Sequence, residues 1–303
     1  MRFLLAILVC FGLLSCGKNS SKPNHVSQTR QEQLANLEMS IQSWALYCGD
    51  TAAKDGPDDD KYDPPGCETG DAVLFNGLKC AAGDQTACDA VGAAQDEDGR
   101  WWRSEFRVGS KNKNPFSRDH GYGAMLYLMA TNDTISAEMW MDYIYSNNKR
   151  LCTDDDGRCS IRSQYWGLFG AVWDYLGLKK TKEMYLGDIG DETVTKLAAQ
   201  VTPLGFNLHL VAVDFFVRYY ALKDSQTIEK AEQILADRQP NNPFFVWLHE
   251  GGTDKVADLV LKYCPTNKPD QRRQWSWERS TAEAAWLDSM GHECLFMIDL
   301  LQR

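Results

Sequence analysis

Apolar residues recur at three- and four-residue spacing along most of this chain, and the period-two alternation of β-strands is hard to find. Within residues 31–48, Leu34, Leu37, Ile41, Trp44 and Ala45 share one helical face. The same spacing predicts helices over 71–81, 86–95, 118–131, 136–147, 163–176, 207–222, 225–237, 242–250, 253–263 and 281–301. Ser117, Ser136, Asn207 and Ser225 stand where a side-chain oxygen can cap open backbone amides. Short connections make neighbouring helices antiparallel. The expected fold is therefore all-α: a string of antiparallel helical hairpins forming an (α/α) toroid or an incomplete one, with an irregular bundle or an α-solenoid as the alternative. No constant repeat period stands out, which weighs against a regular solenoid. Residues 98–117 lose the helical period and predict a long ordered loop or a β-hairpin, a kind of segment that often carries function.

The first residues follow a different logic. Met1-Arg2, an apolar run over 3–14 and then Ser15-Cys16-Gly17 have the order of a secretory signal, and the run is too short to span a bilayer, which takes roughly 20 residues. Leu13-Leu14-Ser15-Cys16 resembles the lipobox of bacterial lipoproteins. That resemblance implies cleavage after residue 15, a lipid membrane as partner through acylated Cys16, and, from Gly17 and Lys18, an outer-membrane address in the cell envelope. Residues 16–30, polar and poor in large apolar side chains, are expected to be a tether, leaving 31–303 as a single all-α domain.

A secreted chain should pair its cysteines. Setting aside Cys10 and Cys16 leaves eight, and no Cys-x-x-Cys occurs to suggest zinc or a redox pair. Local spacing suggests Cys80 with Cys88 and Cys152 with Cys159; Cys264 with Cys294 and Cys48 with Cys67 complete one pairing among many. The formal charge is −10, and no basic face is available for a phosphate backbone, so nucleic acid is not an expected partner.

Candidate chemistry concentrates where the loop meets a helix start, in Trp101-Trp102-Arg103-Ser104-Glu105 and Pro115-Phe116-Ser117-Arg118-Asp119-His120-Gly121-Tyr122-Gly123. With Ser117 as N-cap, Asp119 and His120 fall in the first helical turn, where unpaired amides favour an anion. Gly121 and Gly123 each cost a helix about 1 kcal/mol against alanine, so a backbone or a substrate is expected to come close there. This stretch, with the helix Ala124-Met125-Leu126-Tyr127-Leu128, resembles the inner-helix starts of six-hairpin glycosidase-like toroids, which include hydrolases and polysaccharide lyases. The Leu74–Cys88 run, with its Leu-Phe-Asn-Gly-Leu, resembles one in bacterial lipoproteins of no assigned activity.

As hydrolytic chemistry, Glu105 and Asp119 would be the carboxylate pair, one protonated and one ionised. As elimination chemistry, His120 or Tyr122 would take a proton beside a uronate whose carboxylate Arg103 or Arg118 neutralises. An ion-pair network of Arg118 and Asp119 anchoring the loop, with His120 capping it, is the structural alternative. Ten Trp and twelve Tyr are many for this length. Trp101, Trp102, Trp275 and Trp277 sit on polar segments and could offer flat faces to a glycan, although most such rings are core. The acidic run Asp55, Asp58, Asp59, Asp60, Asp63, Glu68 and Asp71 has oxygen ligands for calcium but not the order of an EF-hand, so a solvated loop is favoured and neither metal nor cofactor is expected. Single His-Glu pairs without a second histidine, and the lack of a Gly-x-Ser-x-Gly elbow, argue against a zinc protease and a serine hydrolase. The expected function is an envelope protein that binds or acts on a carbohydrate near the 118–131 helix; the rival is a non-catalytic lipoprotein that docks another protein.

Overall fold

The computed structural model describes residues 25–56, 63–110, 116–153, 157–187, 192–222, 228–270, 275 and 289–303. These residues are mainly helical, with thirteen α-helices and two small β-hairpins. Cys16, Trp277 and the 225–227 and 281–288 parts of two predicted helices lie outside them.

The His25 amide donates to Gly252 O, and the Ser27 amide to Asp254. Helix α1 (Gln28–Gln42) follows directly, so the ordered chain starts before residue 31, and the last part of the predicted 31–48 helix is instead strand β1 (Tyr47–Cys48) paired with β2 (Thr51–Ala52). Strands β3 (Lys54–Asp55) and β4 (Cys67–Glu68) form the second hairpin. Helix α2 (Ala72–Ala82) is mostly apolar and buried along its whole length, with Asn76 bonded to Ala72 O and Lys79 paired with Asp84; Gly83 in the left-handed region ends it. Asp84 then caps α3 (Gln85–Gly92) by accepting from Ala87 N.

Residues 100–110 form neither a helix nor a hairpin but an extended path with one isolated bridge, Gln95 to Trp101, and a 3₁₀ turn at Glu105–Arg107. Arg107 pairs with Asp63 at 2.5 Å, both side chains nearly closed to solvent, and Asp63 also accepts from Thr69 N at 3.1 Å. Glu68 accepts from Gly70 N, and Asp71 from Lys54. These carboxylates of the acidic run are thus engaged by the protein itself; Asp58, Asp59 and Asp60 lie outside the described residues.

Helices α4 (Arg118–Thr131) and α5 (Thr134–Ser146) form a hairpin turned by Asn132 at φ 55°; Asp133, not Ser136, caps α5, accepting from Ser136 N. Helix α6 (Ser163–Tyr175) follows the Cys152–Cys159 turn. Two helices absent from the expectation come next, α7 (Lys182–Leu186) and α8 (Glu192–Val201). Then come α9 (Phe206–Leu222), α10 (Glu229–Arg238), α11 (Pro243–Glu250), α12 (Asp254–Tyr263) and α13 (His292–Gln302). Asn207 lies inside α9 rather than capping it, whereas Asn242 caps α11 ahead of Pro243.

One apolar cluster runs through the body, from Leu34 on α1 to Leu301 on α13. Helices α2 and α4 cross so closely that Gly77 and Gly123 meet: a Cβ on Gly123 would lie 2.1 Å from Val73 O. The predicted close approach at residue 123 is therefore another backbone.

All four suggested disulfides are present: Cys48–Cys67, Cys80–Cys88, Cys152–Cys159 and Cys264–Cys294. The last joins the end of α12 to α13 across a 30-residue separation. Replacing both of its cysteines by alanine is expected to lower unfolding free energy by about 3 kcal/mol, the scale set by loop-closure entropy. Urea titration of the oxidised protein checks this; an unchanged midpoint would refute it. Among the described residues no helix is long and apolar enough to cross a membrane.

Candidate functional site

The start of α4 is built on histidine chemistry. His120 is fully buried, and its Nδ1 accepts from the Ser117 amide at 3.1 Å, which puts the neutral ring's proton on Nε2. Nε2 then donates to Gly70 O at 3.0 Å, with Asp71 Oδ1 3.4 Å away. Because Nδ1 is already served by the amide, the Ser117 hydroxyl is free to donate to Asp119. His120 therefore ties α4 to the residues that lead into α2, and Asp119 is held at a helix N-terminus that favours its charge.

Asp71 completes this corner. Burial alone would raise its pKa, but the His120 imidazole and the Lys54 ammonium, 2.9 Å away, outweigh it and hold the carboxyl well below the usual range. Arg103 reaches the same carbonyl as His120, donating to Gly70 O at 3.2 Å. Partial burial pulls its pKa down, and the charges of Asp71 and Asp119 oppose that shift.

The opposite wall comes from α6 and α9. Gly121 leaves room for Tyr165: a Cβ there would lie 1.8 Å from the phenol oxygen, which instead donates to Arg118 O at 2.9 Å. Tyr165 and Tyr122 sit with ring centroids 5.6 Å apart. Burial, reinforced for Tyr122 by Asp214, pushes both phenols above their ordinary pKa, so both keep their protons at neutral pH. On α9, Asp214 and Arg218 form an ion pair at 2.7 Å, one helical turn apart.

Between these walls lies a cleft of about 690 Å³. Asp71, Arg103, Ser117, Arg118, Asp119 and Tyr122 line one side; Arg158, Arg162 and Tyr165 line a second. The third is α8 and α9, with Val194, Thr195, Ala198, Phe206, Leu210, Val211, Asp214, Phe215 and Arg218. Five arginines face three aspartates.

The cleft thus gathers Arg103, Arg118, Asp119 and Tyr122, with His120 directly behind them. Other candidates stand elsewhere. Glu105 accepts from the Thr51 hydroxyl at 2.7 Å and does not line the cleft, so it is not brought opposite Asp119 as a carboxylate pair. Trp101 is a core residue against Tyr127 and Trp140, because the chain turns inward at its bridge to Gln95. Trp102 is buried beneath the Arg100 guanidinium, its indole donating to Asp96. Trp275 stacks on Phe75 of α2 with no exposed surface. None of these three offers an open ring to a ligand.

Arg158, Arg162, Tyr165, Asp214 and Arg218 are cleft residues that the sequence reading passed over. The four-residue spacing of Asp214 and Arg218 on an otherwise apolar helix was the signal available for two of them. Asp71, Asp119 and His120 offer ligand atoms within 4.8 Å of one another. Both His120 nitrogens are nonetheless committed to the backbone, and Asp71 to Lys54, which describes a hydrogen-bonded corner rather than an open coordination set. Comparison with protein-family models, with curated proteins and with solved structures finds no match to this chain.

Proposed function

We propose that this chain is a lipid-anchored envelope protein whose cleft at the start of α4 binds an acidic carbohydrate. The observation that carries this reading is the charge of the cleft. In a chain of net charge −10, the described residues of the cleft include five arginines and three aspartates, and two of those aspartates pair with Lys54 and Arg218. Guanidinium forks suit carboxylate or sulfate groups, and the volume is within the range of small-molecule sites. Tyr122, held protonated, can donate a hydrogen bond, and Phe206 offers apolar surface to a sugar ring.

Binding is favoured over turnover for a chemical reason. A phenol with a raised pKa is a poor base at neutral pH, His120 has both nitrogens engaged, and Glu105 is elsewhere. The envelope assignment is supported by the signal-like start ending in Cys16 and by four disulfides. The toroid reading is supported by packing: α2 with α4, α4 with α6, α6 with α9, α9 with α11, Phe244 of α11 on Phe296 of α13, and α13 back on α2.

Calorimetric titration of the soluble domain with oligogalacturonates and with neutral gluco-oligosaccharides tests the proposal. Acidic ligands should bind, more weakly as salt rises, and Arg118→Gln or Arg162→Gln should each weaken them about ten-fold. Equal affinity for neutral and acidic sugars, or binding of neither, would remove the basis for it.

A further inference from the structure

Helix α8 carries an apolar row that the body does not cover. Helical spacing puts Val194, Leu197, Ala198 and Val201 on one side, while Thr195 and Ala199 pack inward. Val194, Leu197 and Val201 are 40%, 54% and 66% exposed, and Leu204 and Phe206 continue the row at 43% and 42%. Single exposed apolar residues need no explanation, but a contiguous row does.

The row is not separate from the cleft. Val194, Ala198 and Phe206 also line it, so the apolar surface is the lip of the arginine-lined cavity continued outward. Charge lies inside and aliphatic surface outside. A plain polysaccharide would leave the aliphatic row idle, and a second copy of the chain would leave the cleft arginines idle. An anionic lipid surface would want cations beside the row, yet Lys196 on the same helix and Lys230 on α10 are both tied to Glu192, at 2.6 and 3.0 Å.

We propose that the ligand is an amphiphile, its anionic sugar headgroup held in the cleft and its alkyl or acyl chain laid along Val194, Leu197, Val201, Leu204 and Phe206. This rests on the acidic-carbohydrate reading of the same cleft and adds the lipid portion to it. No bond is made or broken; the chain gains affinity by leaving water.

The experiment uses glucuronate, alkyl glucuronides of increasing chain length below their micelle concentrations, and alkyl glucosides of the same lengths. Affinity for the glucuronides should tighten roughly two- to four-fold per methylene while the chain is being covered. In Leu197→Ser/Val201→Ser, or the milder Leu197→Ala/Val201→Ala, that slope should flatten while glucuronate binds as in the parent, since neither side chain lines the cleft. A parent that binds glucuronate with no chain-length slope overturns the amphiphile proposal and leaves the carbohydrate reading standing. Binding of neither glucuronate nor glucuronide overturns both. A slope equal for glucosides and glucuronides, or one untouched by either double variant, assigns it to unspecific detergent uptake and overturns the proposal. So does a dimer, seen by sedimentation, that the double variants disperse without changing the slope.

Discussion

Gly123→Val is expected to abolish the fold, with loss of the cooperative thermal transition and a cost of about 5 kcal/mol or more, comparable to a whole domain's stability. The reason is backbone contact. Any Cβ at this position would meet Val73 O at 2.1 Å and Leu74 Cα at 2.7 Å, and neither is the end of a flexible side chain. A valine adds two further methyl groups at the crossing of α2 and α4, the two helices that frame the cleft's inner corner. Gly121→Ala, two residues away, is the natural control. Its Cβ would strike the Tyr165 hydroxyl, which can swing aside, so the protein should fold with a smaller loss and altered ligand binding. Circular dichroism melts of the two variants decide the matter: a folded Gly123→Val protein would contradict the close crossing.

Acid should unfold the protein through His209. This ring is fully buried on α9 near Phe244 and Trp275, neither nitrogen has a hydrogen-bond partner among the described residues, and burial pushes its pKa down from 6.5 to about 3. The unfolded chain therefore takes up this proton first, and the stability present above pH 6.5 is lost as the pH falls toward 3. The loss attributable to this group is about 2 kcal/mol by pH 5 and about 4 kcal/mol by pH 3. His209→Leu, of similar size and without orphaned nitrogens, should flatten that part of the profile and raise stability at neutral pH by about 1 kcal/mol or more. Urea midpoints from pH 3 to 8 for both proteins test the claim; parallel profiles would show that His209 does not titrate on unfolding.

Much of the helical body could be read directly from the sequence because its helices are amphipathic or wholly apolar. The segment 163–176 was found to within a residue, and 242–250 began one residue late at Pro243, where proline is suited to the first turn. The miss at α8 has a physical cause. Its apolar residues face outward, so the usual inference from apolar spacing to core does not apply, and glycines at 187 and 190 mark it as loop. Tyr47–Cys48 was read as the tail of a helix because Trp44 and Ala45 keep the period, but the chain must turn there for Cys48 to reach Cys67.

The candidate site was half visible. Ser117, Arg118, Asp119, His120 and Tyr122 are contiguous, so a helix start with unusual chemistry could be recognised locally. Arg158, Arg162, Asp214 and Arg218 reach the same cleft from other elements, and nothing local marks a residue as facing a distant one. Tryptophan misled for a related reason: Trp101 and Trp275 sit among polar neighbours in sequence, yet both are fully buried.

Ahead of α6, the Cys152–Cys159 bridge closes a small loop. It presents Arg158 and leads, three residues on, to Arg162, so two of the cleft's five cations stand on a stretch fastened by a sulfur bridge rather than by helical packing. In a reducing cytosol this bridge and the other three would not form, and the expected outcome is a less stable protein that binds the proposed anionic ligand more weakly. Preparations for ligand screening should accordingly come from an export host, with thiol content assayed before any negative result is believed.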